Sequence, residues 1–134
     1  MLQLNVSFIM GVLTGILAEF LGSTFIAAFT FLSRSSFAND WSSIAVAHFL
    51  VYASLTYAFY KTSGSMFNPV LTGILMLSRS INSIKAIISI IAQIIGSLLG
   101  AGLATMIWNS SIKAEKDHLL YPKMDSKGLD YLLL

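Results

Sequence analysis

Three polar side chains stand out by where they occur in this sequence: Glu19 and His48 lie inside long apolar stretches, and Asn68 stands directly before Pro69. The chain contains no cysteine and two histidines, so a disulfide, a thiolate metal site and a cysteine nucleophile are excluded. His48, His118 and one intramembrane acid do not assemble a nucleophile–base pair or a metal cluster, and no phosphate-binding loop is present. No enzyme and no cofactor is expected. What remains is hydrogen bonding and electrostatics. Asn is a strong helix N-cap because its side-chain oxygen accepts from first-turn N–H groups, and Pro at the next position wastes no donor. Asn68-Pro69 therefore reads as a helix start. With its oxygen spent on the cap, the Asn68 NH2 group is left as a fixed outward donor, beside roughly half a positive charge at the helix N-terminus. Such a donor orients water and repels cations and protons. The alternative is an ordinary capped turn, buried for structural reasons.

Glu19 costs about 3 kcal/mol at the centre of a bilayer, so it must face protein or water and find a partner. It reads first as a carboxylate accepting from backbone N–H groups of a nearby loop, and second as a proton or cation site. A pore for cations would show more than one acid, which favours the first. His48 is followed by Tyr52, Thr56 and Tyr60 at four-residue steps, placing all four on one helix face. This stripe either bonds another helix or lines a wet path. His118 lies in a polar tail and reads as solvated.

These residues are carried by a chain of 134 residues that is 56% apolar and 10% charged, with a mean hydropathy of +0.79. That composition predicts an all-α integral membrane protein crossing the bilayer several times. Spans are expected at about 6–32, 43–60 and 84–108, each near the roughly 20 residues a crossing requires. A signal peptide is disfavoured at the N-terminus, since Met1–Asn5 carries no basic residue and the apolar run is too long. Between the second and third spans, the segment 62–78 holds a polar, Gly-containing turn and a helix of only about 9 to 11 residues, roughly 15 Å long, half of a bilayer core. Such a helix re-enters rather than crosses, and its exposed donors are tolerated only beside protein or a water-filled cavity.

Residues 1–112 thus form one unit, and 113–134 read as a polar loop followed by the first turn of a fourth helix that the sequence does not complete. Positive charge gives a weak preference for a cytoplasmic Lys61–Lys85 loop. Gly11, Gly15, Ala18 and Gly22 in the first span, and Ala92, Gly96, Gly100 and Ala104 in the third, form small-residue stripes suited to close helix packing. No basic patch interleaved with aromatics exists, so nucleic acid is not an expected partner.

Ser63-Gly64-Ser65-Met66-Phe67-Asn68-Pro69-Val70-Leu71-Thr72 resembles the first Asn-Pro-Ala loop of the aquaporin family. Ala18-Glu19-Phe20-Leu21-Gly22-Ser23-Thr24-Phe25 and Ala92-Gln93-Ile94-Ile95-Gly96-Ser97-Leu98-Leu99-Gly100-Ala101 resemble that family's first- and third-helix signatures, in the right order and spacing. The resemblance covers one of the two inverted three-helix repeats of the family's fold. It implies that Asn68, with Pro69 and Val70, stands at the centre of a pore, that Glu19 braces the re-entrant loop, and that His48 occupies the second-helix position of the selectivity constriction. Histidine there is similar to the plant vacuolar-membrane aquaporins. Val70 in place of the usual Ala and Met66 in place of the usual His imply a narrower, drier pore at that level. A second Asn-Pro and the constriction arginine beside it do not occur in this sequence.

The resemblance implies a channel for water or small neutral solutes, with this chain as a half-length form that requires a second half. That half would come from further polypeptide or from a second copy in a homo-oligomer. The other readings are a non-conducting membrane protein that assembles with full-length relatives and perturbs them, and a half-size secondary transporter.

Overall fold

A computed structural model of the chain describes residues 6–37 and 40–111. The expected polar loop, His118 and the start of a fourth helix lie outside the described residues. Four helices follow one another: α1 (Val6–Ser36), α2 (Trp41–Ser63), α3 (Pro69–Leu77) and α4 (Ser83–Ser111). No strand occurs among the described residues. Three segments are long and apolar enough to cross a membrane, Ile9–Ser36, Trp41–Ser63 and Ser83–Trp108. The nine residues of α3 rise only about 14 Å.

The helices run past the ends expected from apolar length, and local capping explains where two of them begin. Asp40 caps α2, its carboxylate accepting from the N–H groups of Ser42 at 3.0 Å and Ser43 at 3.2 Å, so Trp41 starts the helix instead of standing in the loop before it. Asn82 caps α4 in the same way, accepting from Ile84 N–H at 2.9 Å. At the other end of α2, Gly64 takes a left-handed φ of 96° and donates its N–H to the Tyr60 carbonyl, a common helix stop.

α1 is the central element, packed on α4 along one side and on α2 along another, while α3 packs on α4. The backbone of α2 does not pack on α3 or α4, its end meeting α4 only through Lys85 Nζ, which donates to the Ser63 carbonyl at 3.5 Å, and the α2–α3 connection lies between them. The α1–α4 contact depends on missing side chains: a Cβ on Gly96 would overlap the Phe20 carbonyl, and one on Gly100 the Thr24 carbonyl. Backbones meet here at a separation that only glycine permits.

The interior is polar and the exterior apolar. The largest fully buried side chains are Gln93, Glu19, Thr72, Ser23 and Ser89, while Phe49, Leu98 and Met106 point outward. In water this arrangement would be unstable. In lipid, apolar side chains gain nothing by avoiding solvent, and polar groups are the ones that must be enclosed and paired.

Candidate functional site

Asn68 begins α3 with extended backbone, and its Oδ1 accepts from Val70 N–H at 2.9 Å and Leu71 N–H at 3.4 Å. Pro69 occupies the first helical position. The Asn68 amide nitrogen has no hydrogen-bond partner among the described residues, and Asn68 and Val70 are both exposed. A donor pair and a helix N-terminus thus face an open side of the molecule, halfway along the length of the spans.

The connection Gly64–Asn68 that delivers Asn68 to this point is strained. Ser65 and Phe67 have φ of 52° and 45°, a region that costs a non-glycine residue about 1–3 kcal/mol. Anchors on three helices offset this. From α1, the Glu19 carboxylate accepts from Met66 N–H at 3.1 Å and Phe67 N–H at 2.7 Å, and Ser23 Oγ donates to the Phe67 carbonyl at 3.4 Å. From α4, Gln93 Nε2 donates to Glu19 at 2.8 Å and to Thr72 Oγ1 at 2.9 Å. Thr72 in turn donates to the Asn68 carbonyl at 2.9 Å. Glu19 is fully buried, and its partners are neutral donors that satisfy both oxygens. The Phe67 ring lies on Gly22, where a Cβ would overlap it, and meets the Tyr52 and Phe59 rings edge-on. A Cβ on Gly15 would approach the Thr62 carbonyl to 3.2 Å. Gly15 and Gly22 therefore admit the end of α2 and the connection, whereas Gly96 and Gly100 admit α1.

His48 is exposed on α2 and shares a 2.9 Å hydrogen bond between its Nδ1 and Thr30 Oγ1. Thr30 Oγ1 also lies 2.7 Å from the Ile26 carbonyl, so this hydroxyl joins the α1 backbone to the His48 ring. No hydrogen bond joins His48 to Asn68. Tyr52 links them, with its ring centroid 6.3 Å from that of His48 and its hydroxyl donating to the Met66 carbonyl at 2.9 Å.

The structure brings Glu19, the connection and Asn68 into one bonded network and leaves His48 a turn of α2 away. Gln93, Thr72, Ser23 and Thr30 carry contacts that the sequence does not assign to them. A glutamine within a membrane span always requires partners, and that signal singles out Gln93. Nothing local marks Thr30.

A sequence profile of the major intrinsic protein family matches residues 7–129. The chain is 40% identical over 86 residues to Glycerol uptake facilitator protein-like 6 of Lactiplantibacillus plantarum, an alignment covering 63% of this chain and 39% of that protein. It is 32% identical over 98 residues to Aquaporin-5 of Sus scrofa, covering 68% of this chain and 36% of that protein. The chain thus spans little more than a third of the length of these relatives.

Proposed function

The chain belongs to the major intrinsic protein family, and from that premise we propose that it forms one half of a channel for water and small neutral solutes, its open α2–α3 side completed by a second half. As a member of the family it is a multi-pass membrane protein and not an enzyme. The observation that carries the proposal is the exposed start of α3. Unpaired Asn68 donors and a positive helix end at mid-membrane depth are tolerated only beside protein or water, and no described element covers them.

On this reading Asn68 Nδ2 donates to the oxygen of a passing molecule while the α3 N-terminus repels cations. Glu19, through Met66 and Phe67, holds the donor at a fixed height. Val70 forms the wall beside it, and His48 offers its imidazole as a polar contact further along α2. The completing half is either further polypeptide or a second copy of this chain.

The absence of cysteine permits a direct test. Val70 and Leu98 are equally exposed, at 70% each, but Val70 faces the proposed route and Leu98 faces lipid. In proteoliposomes, a membrane-impermeant thiol reagent is expected to modify Val70→Cys and spare Leu98→Cys. Equal reactivity, or an unreactive Val70→Cys, removes the proposed route. Osmotic water permeability of vesicles holding this chain alone, if no higher than that of protein-free vesicles, removes the version completed by a second copy.

A further inference from the structure

We propose that Tyr52 is a selectivity residue of this route, its phenol latched to the re-entrant connection so that its ring sets the width of the passage between His48 and Asn68. The inference rests on the route proposed above and adds a residue to which that reading gives no part.

The backbone of Met66 is held from both sides. Its N–H is bound by Glu19 of α1 and its carbonyl by the Tyr52 hydroxyl of α2. A carbonyl turned toward α2 would otherwise offer its lone pairs to the gap between α2 and α3. Tyr52 takes that acceptor and sets a phenol in front of it. The ring is located at three points: the hydroxyl on Met66, the edge against Phe67 with centroids 6.3 Å apart, and His48 on its other side at 6.3 Å. Because it is only half-buried, part of the ring remains free to meet a solute.

Two open depressions lie on the face of α2 and are lined by α2 residues, one of about 790 Å³ toward Thr56 and Tyr60 and one of about 520 Å³ toward Trp41 and His48. They share Phe49 and Tyr52 as a common wall. Of these two, Tyr52 is the one tied to the connection that carries Asn68. A second tie, from Ser65 Oγ to the Thr56 carbonyl at 3.2 Å, keeps the connection on α2 when the phenol is removed. Losing the Tyr52 hydroxyl therefore loosens this contact without freeing the whole segment.

The test uses the full chain in proteoliposomes and two readouts. Amide hydrogen exchange at Met66 and Phe67 is expected to quicken about fivefold in Tyr52→Phe, the worth of one neutral hydrogen bond. The glycerol-to-water permeability ratio is expected to rise in Tyr52→Ala, or in Tyr52→Leu if the alanine variant does not insert. Unchanged exchange overturns the latch. Faster exchange with an unaltered solute ratio makes Tyr52 purely structural and overturns the inference alone. The solute test rests on the route as completed by a second copy, and wild-type vesicles that pass neither solute remove that version and this inference with it.

Discussion

The Glu19 carboxylate on α1 accepts from the Phe67 amide at 2.7 Å, joining the first span to a residue whose backbone is left-handed and whose neighbour Asn68 opens α3. This contact transfers the rigidity of a membrane-spanning helix to a short, strained segment. Within the segment, Gly64 N–H is taken by the Tyr60 carbonyl and Ser65 N–H by Ser63 Oγ, and the N–H groups of Met66 and Phe67 depend on the carboxylate. Gln93 closes the arrangement from α4, which makes the height of Asn68 a property of three helices acting together.

Glu19→Gln is expected to destabilise the fold by about 1–3 kcal/mol, the cost of leaving a buried donor unsatisfied. One carboxylate oxygen becomes an NH2 group facing a donor, Met66 N–H in one rotation of the amide or Phe67 N–H and Gln93 Nε2 in the other, and no rotation supplies two acceptors. Unfolding of the detergent-solubilised protein by increasing SDS measures this. An unchanged midpoint would mean that the connection is held by its other contacts.

Gly100→Ala is expected to separate α1 from α4, because the added Cβ overlaps the Thr24 carbonyl and a helix backbone does not yield locally. Overpacking of this kind costs about 1–3 kcal/mol. Gly102→Ala meets nothing within 4 Å and should remain within about 0.5 kcal/mol of the parent. The same SDS titration compares the pair, and equal effects would show that the two helices are not held by close approach.

These two sites mark what was legible in the sequence and what was not. The four helices and the start of α3 follow from apolar length and from Asn68-Pro69, both local properties. The need of Glu19 for donors is equally local, since a buried acid without a nearby cation must find N–H groups. That Gln93 is among those donors is not local: it lies far away in the chain and reaches Glu19 only because Gly96 and Gly100 let α4 close on α1. The Thr30–His48 bond likewise depends on how α1 and α2 are rotated about each other, which no spacing within either helix fixes. Helix ends depart from apolar length where a cap, Asp40 for instance, extends a helix past its apolar run.

Asp40 provides a pH-dependent element at the start of α2. Hydrogen bonds from the Ser43 hydroxyl and from the Ser43 and Ser42 N–H groups hold its carboxyl below the usual value. The cap therefore contributes fully above the ordinary carboxylate value and is lost as pH falls through the depressed one. Ser43→Ala should move the Asp40 titration, followed by carboxyl-carbon NMR, back toward the usual range. An unmoved titration would mean that the Ser43 hydroxyl does not sustain the shift.

Asn68→Asp separates the two roles of Asn68, capping and donation. Aspartate caps a helix as well as asparagine does and places a negative charge at a positive helix end, so α3 keeps its start. The NH2 donors are replaced by acceptors. If the start of α3 faces water, the variant inserts and unfolds like the parent. Its water permeability falls, and a cation leak appears because the local potential has changed sign. If instead the position faces lipid, the buried charge costs about 3 kcal/mol and the variant is destabilised beyond Asn68→Ala, which loses only the cap, about 1 kcal/mol. Stability of the two variants by SDS titration, with stopped-flow shrinkage of the same vesicles, distinguishes the outcomes. An aspartate variant less stable than the alanine variant would place Asn68 outside any aqueous route.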